Sequence, residues 1–158
     1  MTLTIATPHA VGRPGYTMLL PCRPESVGRA RAFVAGVFET WGIRSLAEDG
    51  EVIVSELLTN TLDHTTCPLV RVVIERCMDE VIRIEVADGS HTRPQLADYD
   101  VDADADAESG RGLFLVDALS WRWGCDEYDW GKSTWAELKT MTTAPSAPDP
   151  VPTSESAR

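Results

Sequence analysis

The sequence predicts an α+β domain in which a mixed, largely antiparallel sheet carries helices on one face. Strand-like segments come in adjacent pairs joined by short turns, as in hairpins, and they do not alternate singly with helices. Three further segments have apolar residues at helical spacing, so each must bury one stripe against a shared core. A chain of 158 residues is long enough to form one such domain with a sizeable core.

Composition and charge restrict the function classes. The net charge is −11, from 14 basic and 25 acidic side chains, which argues against a nucleic-acid partner because no basic surface is available for phosphates. No apolar run approaches the roughly 20 residues of a membrane span, and no signal peptide is evident, so a cytoplasmic protein without membrane contact is expected. The four cysteines form no C-x-x-C pair, which disfavours a zinc site.

The first elements follow a short lead-in. Residues 1–14, rich in Pro and Gly, are predicted to be a flexible N-terminal segment ahead of a domain over 15–141. The run YTMLLPC, 16–22, is predicted as a strand, and 23–42 as a helix with Pro24 in its first turn.

A second helix is predicted after Gly42. Ser45 and Glu48 have the S-x-x-E spacing of a capping box at its start, and Pro68 lies beyond its end. Its apolar stripe has the i, i+3, i+4 spacing of a face on a core and comprises Val54, Leu57, Leu58, Thr61 and Leu62. Gly50 weakens the helical pattern within it.

The next segments are a hairpin and a long acidic loop. The β-rich runs 69–77 and 80–88 are separated by Met78 and Asp79, which predicts a tight turn. Residues 89–109 then lose the apolar pattern and include the acidic run 98–108. A loop of this length is either a lid over a binding site or a solvated insertion.

The C-terminal part contains a third helix and a second hairpin. Residues 110–120 form a glycine-led helix, and 121–128 and 132–140 read as the two strands of the hairpin. Trp121 and Trp123 are placed on one strand face, where they either pack on the sheet or anchor a protein partner. From Thr142, a proline-rich stretch over 142–158 predicts a disordered tail.

Three polar residues form one row on the second helix. Glu56, Asn60 and His64 are four apart, about 40° around the helix axis at each step. A carboxylate can polarise a hydroxyl, an amide oxygen can bind Mg²⁺, and an imidazole can donate to a phosphate. The alternative is an ordinary solvated helix face.

Two glycine-containing motifs lie nearby in the predicted fold. Asp88 ends an apolar strand and is followed by Gly89, so its carboxylate can accept from an exocyclic amine such as that of adenine, or the pair is an ordinary turn. Gly110 and Gly112 begin the third helix, where backbone N–H groups favour phosphate, or they mark a simple helix entry.

The order of these motifs is more specific than any one of them. E-L-L-x-N-x-x-x-H on a helix, a strand ending in Asp-Gly, a lid-sized loop, and then G-x-G-L-x-L-V resemble the GHKL ATPase superfamily over about residues 16 to 140. This superfamily includes histidine kinases, gyrase-type ATPases and serine kinases that act as anti-sigma factors. The sequence is most similar to the small, single-domain bacterial anti-sigma branch.

The resemblance implies a Bergerat-type ATP-binding fold, a two-layer α/β sandwich that binds ATP and Mg²⁺. By this resemblance Glu56 is the general base, Asn60 is the Mg²⁺ ligand and His64 is the basic position that closes the motif. The remaining residues that it assigns to nucleotide binding are Asp88, Gly89, Gly110, Arg111, Gly112, Leu113 and Thr134. Asp88 is the adenine-reading residue among them.

The sequence departs from the family at the first glycine box. The pattern D-x-G-x-G reads Asp88, Gly89, Ser90, His91 and Thr92 here, so Ser90 and Thr92 replace two glycines. A lid hinge without glycine is stiffer and allows a less close backbone approach. The departure bears on nucleotide affinity more than on the fold.

Together these features predict a cytoplasmic regulatory protein of the anti-sigma serine kinase type. It would bind Mg-ATP, hold a sigma factor and phosphorylate a serine of an antagonist (anti-anti-sigma) protein, with a homodimer possible. The alternative is a non-catalytic protein-binding module on the same fold, and a free ATP hydrolase is a third reading. Nothing in the sequence suggests the coupled mechanical domain that a free hydrolase would serve.

Overall fold

A computed structural model of the protein describes residues 6–78, 80–91 and 111–140, and in these ranges the chain forms six strands and three α-helices. The strands are β1 (Thr7–Pro8), β2 (Gly15–Pro21), β3 (Leu69–Met78), β4 (Val81–Asp88), β5 (Arg122–Tyr128) and β6 (Gly131–Lys139). The helices are α1 (Ser26–Thr40), α2 (Ala47–His64) and α3 (Arg111–Leu119), with a short 3-10 helix over Arg44–Leu46 before α2.

The strands form one sheet in the order β1-β2-β3-β4-β6-β5, and every neighbouring pair is antiparallel. Alternate residues of the inner strands point to the helices and are fully buried, among them Val72, Ile84 and Ala136. These side chains meet the apolar stripes of the helices in one core. The predicted α+β class, with a two-layer α/β sandwich, is confirmed.

The two long helices pack closely at Gly50 of α2. A Cβ atom at this position would lie 2.7 Å from the Phe38 ring and 2.9 Å from Val34 of α1. The glycine that weakens the helical pattern in the sequence therefore lets the helices approach each other.

The predicted capping box of α2 is wrong. Ser45 lies within the 3-10 helix, and Leu46 occupies the N-cap position without a side-chain hydrogen bond. The serine hydroxyl is therefore one residue too early to cap, and the 3-10 turn supplies the entry into α2. Pro24 is also misplaced, because α1 begins only at Ser26 and Pro24 precedes the helix.

The face of the sheet that points away from the helices carries a buried ion cluster. Glu137 of β6 has a side chain that is only 1% exposed and accepts from Arg83 at 2.7 Å and from Arg122 at 2.5 Å. Burial alone would raise the pKa of Glu137, but the hydrogen bonds from Arg122 and Arg83 outweigh it and hold the pKa below its usual range. Arg83 also lies over the Trp135 ring at 4.3 Å, so this face is covered by paired charges and an indole.

The two tryptophans predicted to share a strand face do not. Trp121 precedes β5 and lies under Lys139 and Arg122 on the outer side, whereas Trp123 reaches α3, where its Nε1 donates to Asp117 at 3.0 Å. Trp121 is outside the regular strand, so the alternation of side chains does not extend to it.

The segments predicted to lie outside regular structure are the lead-in, the long acidic loop and the tail. The lead-in predicted over 1–14 contains β1, whose Thr7 pairs with Thr17 of β2. The acidic run 98–108 and the tail 142–158 lie outside the described residues. Among the helices that the structure describes, none is long and apolar enough to cross a membrane.

Candidate functional site

Four elements converge at one end of the central strands: the C-terminal half of α2, the end of β4, the start of β6 and the start of α3. Thr61 of α2 donates to Asp88 of β4 at 3.3 Å, and Lys132 of β6 lies directly opposite Asp88 in the sheet. Gly112 of α3 lies against Glu56 of α2. Residues from distant parts of the sequence, including the predicted motifs, are therefore brought together.

Glu56 is held beside the first turn of α3. A Cβ atom at Gly112 would lie 2.5 Å from Glu56 Oε2, so only glycine leaves the carboxylate its present position. Glu56 is half-buried, and burial raises the pKa of its carboxyl group. A carboxylate with a raised pKa is better matched to proton transfer near neutral pH.

Asn60 and His64 continue the row toward the end of α2. Asn60 is half-buried, and no described residue is a hydrogen-bond partner of its side-chain amide, while His64 is exposed. An amide oxygen one turn from a carboxylate is a donor set that fits a hard cation such as Mg²⁺. No group of three or more His, Cys, Asp or Glu side chains that could hold a metal occurs in the described part of the chain. The phosphates and water would therefore supply most of the ligands of such an ion.

A polar cavity of about 590 Å³ opens beside this row. It lies between the C-terminal end of α2 and the end of β4, and its lining residues are Asp63, His64, Thr65, Thr66, Cys67, Gly89 and Ser90. This volume is in the usual range for a small-molecule site. Two predicted nucleotide-binding residues, His64 and Gly89, thus border one cavity.

Asp88 is more enclosed than the sequence suggested. Its side chain is 0% exposed, and its two carboxylate oxygens accept hydrogen bonds from Lys132 Nζ at 2.9 and 3.0 Å. The carboxylate also accepts from the Thr61 hydroxyl at 3.3 Å and from the backbone N–H of Ser90 at 2.8 Å. A buried charge needs such partners. Gly89 follows it, and a Cβ there would lie 2.9 Å from Cys67 Sγ.

The remaining predicted residues lie at the start of α3 and on β6. Arg111 is the first residue of α3, and Leu113 is buried. Gly110 and the side chain of Arg111 lie outside the described part of the structure. Thr134 is buried on the face of β6 that also carries Lys132, and its hydroxyl donates to Cys125 Sγ at 3.8 Å.

Sequence reasoning missed two residues of the site, Lys132 and Thr61. Thr61 was placed on the apolar stripe, and Lys132 was only the first residue of the strand predicted over 132–140. A weak signal existed, because Lys132 begins a strand whose alternate residues, Thr134, Ala136 and Leu138, are small or apolar. That pattern places the lysine on the buried face.

A comparison with known families identifies the fold. The family model described as the histidine kinase-like ATPase domain matches residues 20–137, about three quarters of the chain. The chain belongs to the histidine kinase-like ATPase family. No curated protein matches it. Membership in this family places the chain in the GHKL superfamily and implies an ATP-binding domain.

This histidine kinase-like ATPase domain has a second cavity that does not carry the same chemistry. It measures about 560 Å³ and lies between α1 and β2, lined mainly by apolar groups such as Met18, Phe33 and Val37. Its lining contains one basic residue, Arg29, and no carboxylate. The region with Glu56 and Asp88 is therefore the stronger candidate for nucleotide chemistry.

Proposed function

We propose that this protein is an ATP-binding regulator of the anti-sigma type, which transfers the γ-phosphoryl group of ATP to a serine of an antagonist protein and sequesters a sigma factor. The observation that carries the proposal is the contact between Gly112 and the Glu56 carboxylate. A helix N-terminus favours phosphate, so a phosphate at the start of α3 would lie beside a carboxylate with a raised pKa.

The proposed reaction uses this juxtaposition. The Glu56 carboxylate accepts the proton of the acceptor serine while the serine oxygen bonds to the γ-phosphorus and the bond to ADP breaks. Backbone N–H groups at the start of α3 stabilise the charge on the phosphoryl oxygens. Asn60 would hold Mg²⁺, which neutralises phosphate charge when it is bound. Most of the rate enhancement would come from positioning and charge stabilisation.

The proposed base gives the reaction a pH dependence. Burial raises the pKa of Glu56, and only its ionised form can accept the serine proton. The rate of transfer should therefore fall as the pH decreases through this raised value, at a higher pH than for a fully solvated glutamate.

A non-catalytic binding module is the second candidate, and three observations favour it. The Asp88 carboxylate is already paired with the Lys132 ammonium, and Ser90 replaces a glycine at the predicted lid hinge. In addition, Leu69, Tyr128 and Trp130 are each about half exposed near the outer face of the sheet, where a protein partner can bury them. Such a module would sequester a sigma factor with little or no ATP turnover.

The experiment that tests the proposal is a transfer assay. Purified protein is incubated with γ-labelled ATP, Mg²⁺ and candidate antagonist proteins that bind it and carry an acceptor serine. If the protein is a kinase, the wild type should label the antagonist and the Glu56→Gln variant should not, although the two proteins should bind ATP and the sigma factor equally well. Absence of transfer to every antagonist that binds would favour the module, and undiminished transfer by Glu56→Gln would remove Glu56 as the base.

A further inference from the structure

The position predicted to bind the adenine of the nucleotide contains a buried ion pair. Lys132 is 2% exposed and the Asp88 side chain 0%, and the Lys132 ammonium bridges both carboxylate oxygens at 2.9 and 3.0 Å. Breaking a pair this deeply buried leaves an uncompensated charge, which is strongly unfavourable. Any ligand group that reaches Asp88 must therefore compete with the lysine.

The acceptor positions of the Asp88 carboxylate are largely taken by donors of the protein itself. An ionised carboxylate offers about four lone-pair sites. Asp88 accepts two hydrogen bonds from Lys132 and one from the backbone N–H of Ser90, and it shares the proton of the Thr61 hydroxyl with the Leu57 carbonyl. An exocyclic amino group could bind Asp88 only by taking the place of one of these donors.

The backbone fixes the lysine in this position. Asp88 and Lys132 are directly opposite in the β4–β6 ladder, so their side chains leave the sheet on the same face. The preceding Gly131 has φ +150°, and a Cβ there would lie 2.1 Å from the Asp88 carbonyl oxygen. The close approach of the two strands thus holds Lys132 over the carboxylate.

We propose that the Lys132 ammonium occupies the place at Asp88 that the amino group of a nucleotide base would take, and that Lys132 thereby sets the affinity and base selectivity of the site. This inference rests on the proposed ATP-binding function and on the assignment of Asp88 to adenine that the family resemblance implies. In the wild type, Asp88 cannot distinguish a 6-amino from a 6-oxo purine without losing Lys132. The wild type should therefore bind ATP and inosine triphosphate with similar affinity.

The sequence offers a matched pair of variants for the test. Both lysines of the chain, Lys132 and Lys139, lie on β6, and Lys139 is exposed and lies over the Trp121 ring. Lys132→Met and Lys139→Met remove the same charge from the same strand, but only the first frees Asp88. Calorimetric titration with ATP and with inosine triphosphate then measures affinity and selectivity, with thermal melts to confirm folding.

Lys132→Met should bind ATP about tenfold or more tightly than the wild type, because Asp88 is then free to accept a hydrogen bond from the amino group of adenine. Its affinity for inosine triphosphate should rise less, and Lys139→Met should match the wild type for both ligands. An ATP affinity no higher than that of the wild type, or an equal gain for both nucleotides, overturns the inference.

A second measurement does not depend on the folding of a variant. In ¹⁵N-lysine-labelled wild type, the ammonium signal of Lys132 should take the same position with saturating ATP as with saturating inosine triphosphate, because the ammonium stays on Asp88 with both nucleotides. A Lys132 signal that differs between the two nucleotides at saturation overturns the inference. If Lys132→Met gains ATP affinity but no antagonist is phosphorylated, the inference stands and the proposed kinase activity fails.

Discussion

Replacement of Gly112 by alanine tests the contact on which the proposed chemistry depends. The new Cβ would lie 2.5 Å from Glu56 Oε2, whereas ordinary van der Waals contact begins at 3.4 Å. The carboxylate must therefore move by about 1 Å, and a displacement of this size at a reacting group costs about 10²-fold in rate. Since Glu56 Oε2 is at the end of a flexible side chain and can move, the fold should tolerate alanine at position 112.

The matched control is Gly36→Ala in α1, where a Cβ would meet no atom within 4 Å. Both substitutions add a methyl group to a helix, and an alanine without a clash stabilises a helix by about 0.5–1 kcal/mol. The assay is the transfer of labelled phosphate to the antagonist, with melting temperatures measured in parallel. A Gly112→Ala protein that transfers phosphate at the wild-type rate, or an equal loss in Gly36→Ala, would refute the reasoning.

Three further predictions concern the metal, the ion cluster and the helix interface. Asn60→Ala should weaken ATP binding by about 1–3 kcal/mol in Mg²⁺ and leave it unchanged in EDTA; equal loss in both titrations would exclude a metal role. Glu137→Gln should lower the free energy of unfolding by about 1–3 kcal/mol at neutral pH. Because folding lowers the pKa of Glu137, the difference in stability between the wild type and the variant should disappear as the pH falls through the lowered pKa. Urea unfolding at a series of pH values measures this, and a difference that persists at low pH would contradict the prediction. Gly50→Ala should destabilise by about 1–3 kcal/mol because its Cβ would meet the Phe38 ring, whereas Gly28→Ala, with open space, should not.

The order and type of the elements could be read from the sequence because each depends on a local pattern. The stripe of α2 and the alternation in β4 are strong enough to predict what they bury. The start of α2 was not predictable from Ser45 and Glu48, because the 3-10 turn before the helix moved the N-cap to Leu46. A local capping motif does not contain that information.

The candidate site was predictable only in part, for a similar reason. Glu56 and Asn60 share a helix, so their common face follows from helix geometry. The pairing of Asp88 with Lys132 joins residues 44 apart in sequence and depends on the register of β4 with β6. Such a register is set by the packing of the whole sheet, so the lysine could not be assigned to the aspartate from the sequence.

Hydrogen–deuterium exchange of the wild type with and without Mg-ATP tests most directly where the nucleotide binds. Binding at the proposed site should slow exchange in the second half of α2 around Glu56 and Asn60, at the end of β4 and at the start of α3, and leave α1 unchanged. Slower exchange confined to the apolar cavity between α1 and β2, or no change at saturating ATP, would contradict the account.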